Sequence, residues 1–225
     1  MVALVGRVSE SGADPVATLR RAHHDIVARV RPVYALDEGQ PSSRTLTLGR
    51  GSCSQRLAVL ESVARSIGVS TRVRGLLVDG RFWYPRFPRL HVAVPDEVLV
   101  AWPEFRIDGD WFTPSGLFGQ VGPVAPPGGL AVGFTNSTGE TLFDAIARTA
   151  VDWDGVTSPA GECSACDLSA RVLRDLGRFD SRDALFEAHG QTLSWPARMI
   201  AGPVLSRWSA GATRPMSGGA ATVGP

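Results

Sequence analysis

The sequence predicts an α+β fold in which a helix that begins with a cysteine packs on a small antiparallel sheet, with a helical annex towards the C-terminus. Apolar residues recur at three- and four-residue spacing after Cys53, residues 71–79 and 98–107 are typical of strands, and helical spacing returns from residue 137 onward. With 225 residues, of which 44% are hydrophobic, the chain is long enough to bury a core of its own.

These observations divide the chain into three parts. We expect residues 1–136 to form the catalytic core and residues 137–208 to form a helical annex of the same domain. We expect residues 209–225 to be a disordered tail, because this stretch is rich in small residues and has little apolar surface to bury.

Charge and composition exclude several classes of function. The net charge of +1 indicates no nucleic-acid partner. All 23 basic residues are arginine, which excludes lysine Schiff-base chemistry and a phosphate-binding P-loop. There is no signal peptide and no apolar run long enough for a membrane, and an odd number of cysteines fits a reducing compartment. We therefore expect a soluble, cytoplasmic protein without a membrane partner.

The first long helix is predicted over residues 14–31. Asp14 is its expected cap, Pro15 suits its first turn, and the apolar residues fall on one stripe. His23 lies on that stripe, where a histidine is usually a packed core residue, so we assign it a packing role. Residues 34–48 are then expected to be a loop that leads to Cys53.

Cys53 is the predicted nucleophile. Gly49 and Gly51 precede it, Ser52 is a plausible helix cap, and the helix that follows ends at Gly68. The first N–H groups of a helix lack intrahelical partners and carry partial positive charge, so they favour a thiolate at this position. The same groups are suited to hold a developing oxyanion.

The rest of the core is predicted as strands and loops. A short strand is expected near residues 91–94, between the two longer ones, and Asp108 and Gly109 fit a hairpin turn. A loop rich in glycine and proline follows over residues 113–136. In the annex, Ser137 and Glu140 resemble a capping box, and helices are expected at these positions: 138–151, 167–176, 181–189 and 195–208.

Cys163 and Cys166 form a single CxxC pair. A structural zinc site needs four ligands, and neither a second CxxC nor paired histidines accompany this one. A thioredoxin-like active site would need a strand immediately before the pair. We therefore expect no metal and no cofactor, and assign both cysteines no catalytic role.

The stretch GRGSCSQRLAVLESVARSIGVSTRVRG followed by VAWPEFRIDGDWF resembles the transglutaminase-like superfamily over roughly residues 34–115. The resemblance implies a papain-like or transglutaminase-like core with Cys53 as its nucleophile. In that superfamily a histidine usually stands just before Ala-Trp and an aspartate lies a few residues after the next tryptophan. Here those positions hold Val100 and Ser115, so the general base either comes from elsewhere or is missing.

His91 is the histidine best placed to replace that base. The others are His23 and His24, within the predicted packing helix, and His189, at the end of a late helix. A thiol without a base is a poor nucleophile near neutral pH, so the hypothesis that Cys53 is catalytic requires a general base. The carboxylate that orients His91 is Asp79, Asp96 or Asp108, and we favour Asp79 because it ends the strand directly after the Cys53 helix.

The chain order Cys53, Asp79, His91 is similar to that of the transglutaminase-like Dieckmann cyclases of polyketide and nonribosomal peptide biosynthesis. This resemblance implies release of a carrier-bound β-ketoacyl-aminoacyl thioester as a tetramic acid or pyridone. The implied partner is a phosphopantetheinylated carrier-protein domain, which Arg81, Arg86 and Arg89 would meet, unless they are only a solvated rim. The expected walls of the substrate pocket are aromatic: Phe82, Trp83, Tyr84, Phe87 and Trp102, with Phe105.

Two other functions remain open from the sequence. A cysteine-dependent thioesterase, amidase or peptidase would use the same three residues with a site open to water. A catalytically dead binding module would explain Val100 and Ser115 standing where histidine and aspartate are expected.

Overall fold

The computed structural model describes residues 1–8, 14–87, 94–118, 141–146 and 171–193, together with 202, 203, 205 and 207. The helices are α1 Val2–Val8, α2 Pro15–Arg29, α3 Ser42–Leu48, α4 Cys53–Ser66, α5 Pro114–Phe118, α6 Leu142–Ala145 and α7 Arg182–His189, with a 3₁₀ helix at Gly80–Arg86. The strands are β1 Arg31–Pro32, β2 Arg50–Gly51, β3 Ser70–Asp79, β4 Glu97–Ile107, β5 Asp110–Phe112 and β6 Val172–Phe179.

Helix caps lie where the sequence places them. The Asp14 carboxylate accepts hydrogen bonds from two backbone N–H groups in the first turn of α2, at 3.3 and 3.0 Å. Ser52 and Gln55 form a complete capping box at the start of α4. Gly68, just past the end of α4, has a φ of +84°, as a left-handed helix terminus requires.

Four antiparallel strands form the central sheet, in the order β5-β4-β3-β6. The long β3 and β4 pair over their full length, from Ser70 opposite Arg106 to Asp79 opposite Glu97. Helix α4 packs on one face of these two strands, with α2 and α3 against it. The sequence-predicted α+β core, with a cysteine-bearing helix on a small antiparallel sheet, is therefore confirmed.

The second face of the sheet is covered by α7. Val73, Leu99 and Ala101 alternate with the residues that face α4, and they pack with Leu185 of α7. A Cβ placed on Gly75 would lie only 2.6 Å from Leu185 Cδ1. Glycine at this position therefore allows α7 to lie close to β3. The helix expected over 181–189 is confirmed, including its Ser181 cap.

Several sequence-based expectations about secondary structure are wrong. Residues 114–118, expected to be loop, form α5. Helix α6 begins at Leu142 with Thr141 as its extended cap, although the helix expected over 138–151 would have contained Thr141.

Residues 172–176, expected to end a helix over 167–176, belong to β6, which pairs with the free edge of β3. The polar and apolar residues of VLRDLGRF suit an edge strand, and pairing with β3 outweighs the local helical preference. Residues 42–48, expected to be loop, form α3 and end at Gly49, which has a φ of +58°.

The β6 strand places this part of the predicted helical annex in the sheet of the core. The strand expected near residues 91–94 falls almost wholly outside the described residues. The same holds for most of the loop expected over 113–136, for most of the remaining annex and for the tail. Those expectations, and the domain boundaries themselves, stay predictions. Within the described part of the chain, no helix combines the length and apolarity that crossing a membrane requires.

Candidate functional site

Cys53 occupies the first position of α4, and short backbone pairings hold the chain that leads to it. Strands β1 and β2 run parallel, with Arg31 N–H donating to the Gly49 carbonyl at 2.9 Å and Val33 N–H donating to the Gly51 carbonyl at 3.1 Å. A Cβ on Gly51 would come within 2.7 Å of Thr45 Cγ2. The approach to Cys53 is therefore closely packed.

A buried polar network fixes the start of α4 from another side. The guanidinium group of Arg182, on α7, donates to Glu61 Oε1 at 2.6 Å and to Ser54 Oγ at 2.7 Å. The Ser54 hydroxyl in turn donates to Glu38 Oε2 at 2.5 Å. Arg182 and Glu61 are both buried, so the pair lies where its charges are weakly screened. Ser54, next to the candidate nucleophile, is thereby held in place.

Residues 141–146, the segment that contains α6, pack beside Cys53. The backbone of Phe143 lies close enough to the cysteine to lower the pKa of its thiol. Arg56, one helical turn after Cys53, donates to Thr141 Oγ1 at 3.1 Å and to Asp144 Oδ1 at 2.7 Å. Its guanidinium carbon also lies 4.4 Å from the centre of the Phe143 ring, in a cation–π contact.

The surroundings of Cys53 hold its thiol in the neutral form. Burial of the sulfur raises the pKa of Cys53 to about 11, even though the residue as a whole is partly exposed. The positive charge of Arg56, the backbone of Phe143 and the positive charge of Arg86 act in the opposite direction, while the negative charge of Asp144 adds to the rise in pKa. Near neutral pH the thiol therefore needs a base before it can attack a substrate.

Asp79 and Asp96 lie at the same end of the sheet, whereas Asp108 lies at the other. Asp79, the last residue of β3, is paired with Glu97, and the Gly80 N–H donates to the Asp96 carbonyl at 2.7 Å. Asp108 follows the far end of β4, in the hairpin turn to β5, where its φ is +52°.

The chain reverses at Gly68 between α4 and β3, so β3 runs back towards the cysteine end of the helix. The influence of Arg86 on Cys53 agrees with this direction.

The contacts of Asp79 with its neighbours are structural. Its carboxylate accepts the Arg81 N–H at 2.9 Å, which caps the 3₁₀ helix, and lies 3.6 Å from Arg171 Nη1. Asp79 therefore caps the turn that follows β3. His91 lies outside the described residues, so the expected Cys53–His91–Asp79 triad stays a prediction.

The predicted pocket aromatics divide into two groups. Phe82 and Trp102 are core residues, only 2% and 1% exposed. Trp83 is partly buried and meets Phe82 edge-to-face at 5.0 Å between ring centroids, while Phe87 packs on Tyr34 at 4.6 Å. Substrate contact by any of them, including the half-buried Tyr84, stays a prediction.

A model of the transglutaminase-like superfamily matches residues 2–114, half of the chain. The chain belongs to the transglutaminase-like superfamily. No curated protein and no solved structure matches it. Members of this superfamily are usually cysteine-nucleophile enzymes, which agrees with Cys53 at the start of α4. The segment 141–146 lies beyond the matched residues.

Within this transglutaminase-like core, the site contains neighbours that the sequence does not reveal. Thr141, Phe143 and Asp144 are about ninety residues from Arg56, and Arg182 and Glu61 are separated by 121 residues. The apolar pattern around 142–146 predicts a helix but not the surface on which it packs. No group of three or more potential metal-ligating side chains comes together in the described ranges. Cys163 and Cys166 lie outside them.

His23 is buried, as its apolar stripe predicts, and also touches the segment beside Cys53. Its Nε2 lies 2.5 Å from the Phe143 carbonyl oxygen, and its ring stacks on the Phe143 ring at 4.4 Å. Burial lowers the pKa of His23 to about 4, and this outweighs the hydrogen bond to the carbonyl, which raises the pKa. The ring is therefore neutral at neutral pH, with its Nε2–H donated to Phe143.

We expect the transglutaminase-like domain to lose stability in mild acid through His23. In the unfolded chain His23 binds a proton below about pH 6.5, the usual pKa of histidine. In the folded chain the same ring stays neutral until about pH 4. The stabilisation is complete above the higher value and falls as the pH drops towards the lower. The free energy of unfolding should decrease by about 2 kcal/mol between about pH 7 and about pH 5.

Urea denaturation at several pH values measures this effect. The His23→Gln variant, whose amide can still donate to the Phe143 carbonyl, should show a much flatter pH dependence. His24→Gln is the matched control, because His24 is the exposed neighbour on the same helix. An unchanged pH slope in His23→Gln would show that other groups cause the acid sensitivity.

Proposed function

We propose that this transglutaminase-like protein is an acyl-transfer enzyme with Cys53 as its nucleophile. The observation that carries the proposal is the position of Cys53, the first residue of a fully capped helix in a core of this superfamily. The capping box occupies the Gln55 N–H, and the N–H groups at the very start of the helix are placed to stabilise a thiolate and the oxyanion of a tetrahedral intermediate.

The finer proposal is a Dieckmann cyclisation. The substrate would be a β-ketoacyl-aminoacyl chain held as a thioester on the phosphopantetheine arm of a cytoplasmic carrier-protein domain. The product would be a tetramic acid or a pyridone. Support comes from the order Cys53, Asp79, His91 along the chain and from the absence of the usual histidine and aspartate at Val100 and Ser115.

The first half-reaction would form an acyl-enzyme. His91, oriented by Asp79, would take the proton of the Cys53 thiol, and the thiolate would attack the thioester carbonyl. The tetrahedral intermediate then collapses, which breaks the carbonyl carbon's bond to the phosphopantetheine sulfur. The protonated His91 would return its proton to the departing thiolate.

The second half-reaction would close the ring. The methylene group between the two carbonyls of the β-ketoamide is acidic, because its carbanion is delocalised over both oxygens. Once it has lost a proton to the base, this carbon attacks the Cys53 thioester, a C–C bond forms, and the Cys53 thiolate leaves and recovers the proton. Water must be excluded, since hydrolysis would give a linear acid. Trp83, Tyr84 and Phe87 would provide the apolar wall.

The base is indispensable in this scheme because burial keeps the thiol protonated. With the pKa of Cys53 near 11, only a very small fraction of the thiol ionises by itself at neutral pH. Asp79 lies at the end of the sheet to which β3 returns alongside α4, so a histidine shortly after the 3₁₀ helix would be near the same end. Asp96 shares that location and is the alternative orienting carboxylate.

Product mass tests the proposed reaction. A β-ketoacyl-aminoacyl thioester of a small thiol, used as a mimic of the carrier-bound chain, should yield a product lighter than the substrate by one thiol. Mass spectrometry would identify this cyclic product and a transient acyl group on the peptide that contains Cys53. A linear acid as the main product would instead establish a thioesterase, and the cyclase proposal would be abandoned.

A non-catalytic binding role is the second candidate, and the high pKa of Cys53 favours it. In a dead site, the rate of Cys53 alkylation by iodoacetamide should rise continuously with pH up to about 11. A thiol paired with a base should show an additional alkylation phase near the histidine pKa of about 6.5. Peptide mass mapping would assign the alkylated cysteine and so separate the two.

A further inference from the structure

The Arg56–Asp144 ion pair is placed where it can act on Cys53 without touching substrate. Arg56 is three residues after Cys53 on α4, so both side chains lie on one face of the helix. The Arg56 side chain is 0% exposed, and its charge is therefore poorly screened by solvent. Asp144, 2.7 Å from Arg56 Nη2, is still 22% exposed and can reach water.

The two members of the pair have opposite effects on a neighbouring thiolate. A buried guanidinium group stabilises a negative sulfur, and a nearby carboxylate destabilises it. Arg56 also donates to Thr141 and lies against the Phe143 ring, and the Phe143 backbone lowers the pKa of Cys53. Arg56 therefore supports the thiolate through its own charge and through the position of Phe143.

Asp144 is firmly held in its charged form. Burial alone would raise the pKa of Asp144, but the charge and hydrogen bond of Arg56, together with hydrogen bonds from Thr141, lower it below its usual range. The carboxylate accepts the Thr141 N–H at 3.1 Å in a capping box. Its negative charge is thus a permanent part of the surroundings of Cys53 near neutral pH.

We propose that Arg56 is a positioning residue that promotes ionisation of the Cys53 thiol, and that Asp144 restrains it by offsetting the charge of Arg56. The pair thereby sets the balance between a resting thiol and a reactive thiolate. Its catalytic meaning rests on the proposed role of Cys53 as a nucleophile, whereas its effect on ionisation does not.

Three other charged or titratable groups in the described part of the chain lie near Cys53 or its neighbour Ser54, and the test leaves them unchanged. Arg86, from the 3₁₀ helix, also favours the thiolate, and His23, from α2, is neutral at neutral pH. Glu38 lies beside the neighbouring Ser54 and accepts its hydroxyl. Neither Arg56→Met nor Asp144→Asn removes any of these three, so the ion pair can be tested against a constant background.

The test is the rate of Cys53 alkylation by iodoacetamide in the full chain at about pH 8, followed by peptide mass mapping. The rate is proportional to the thiolate fraction, so a change of one in the pKa changes it about tenfold. Asp144→Asn should react about tenfold faster, because the amide oxygen can still accept from Arg56 while the negative charge is gone. Arg56→Met should react about tenfold slower, and Arg56→Lys should fall between Arg56→Met and wild type.

Opposite effects distinguish this role from a structural one. If the pair only held the 141–146 segment in place, both substitutions would loosen that segment and both would expose the sulfur and speed alkylation. That outcome, or changes smaller than about twofold in both variants, would overturn the proposal. Arg65→Met is the matched control, since Arg65 lies on the same helix with a side chain 55% exposed, and its rate should equal wild type.

Folding and function are checked separately. Circular dichroism and thermal unfolding show whether each variant is folded. If Arg56→Met is not folded, Arg56→Lys takes its place, and a rate faster than wild type in Arg56→Lys contradicts the proposal. Acyl-enzyme formation is measured on the same proteins. Altered alkylation without any acyl-enzyme in wild type would retain the ionisation role and remove the proposed acyl transfer.

Discussion

Cys53→Ala is expected to abolish turnover and acyl-enzyme formation while leaving the fold intact. Alanine lacks the sulfur that forms the covalent intermediate, but it is a good helix residue and removes little buried volume at a helix start. The Ser52 and Gln55 capping box does not involve the Cys53 side chain, so the start of α4 should be retained. Product formation from the thioester mimic and the mass of the intact protein after mixing measure the two effects.

The control for this substitution is the double variant Cys163→Ala, Cys166→Ala. Neither cysteine has a role in the proposed chemistry, so the variant should form the same acyl-enzyme and the same product. Cyclisation or acyl transfer by Cys53→Ala above the rate without enzyme would rule out the covalent mechanism. Loss of acylation in the double variant would move the nucleophile away from Cys53.

His91→Ala is expected to lower turnover by about 10²–10⁴-fold, the usual contribution of a general base. The effect should be large here because the burial that raises the pKa of Cys53 to about 11 leaves little thiolate without a base. The rate of acyl-enzyme formation under single-turnover conditions measures this directly. The activity of His91→Ala should rise with pH, as hydroxide ionises the thiol in place of histidine.

His24→Ala is the control for this prediction, because His24 is exposed on α2 and should affect neither rate nor stability. Asp79→Asn should lose most of the activity if Asp79 orients His91, while Asp96→Asn and Asp108→Asn should stay near wild type. Loss of activity in Asp96→Asn alone would transfer the orienting role to Asp96. An inactive His189→Ala with an active His91→Ala would contradict the proposed triad.

Cys53 is half-buried, and several side chains from distant parts of the chain surround it. The nucleophile is bordered by Phe143 and by the Arg56–Asp144 pair, and the start of α4 is tied to α7 through Ser54 and Arg182. The same contacts require the thiol to be activated by a base.

Local sequence determined the elements that carry the site. Asp14, Ser52 and Gly68 act through hydrogen bonds or backbone conformations within a few residues of themselves. The ends of α2 and α4 that they define can therefore be predicted from a short stretch of sequence. Strands β3 and β4 were predictable for a similar reason, because the apolar residues that each strand buries lie within a single short segment of the sequence. The position of Cys53 at a helix start, and the superfamily, followed from the same stretch.

Only the tertiary structure decided what surrounds that cysteine. The partners of Arg56 are 85 and 88 residues away along the chain, and β6 became a strand because the edge of β3 was available to it about a hundred residues later. These contacts and the strand conformation of β6 depend on which distant segments pack against one another, and a local sequence pattern does not specify that packing. The sequence alone therefore determined the candidate nucleophile and its helix, whereas packing at long range determined the charge and burial around its thiol.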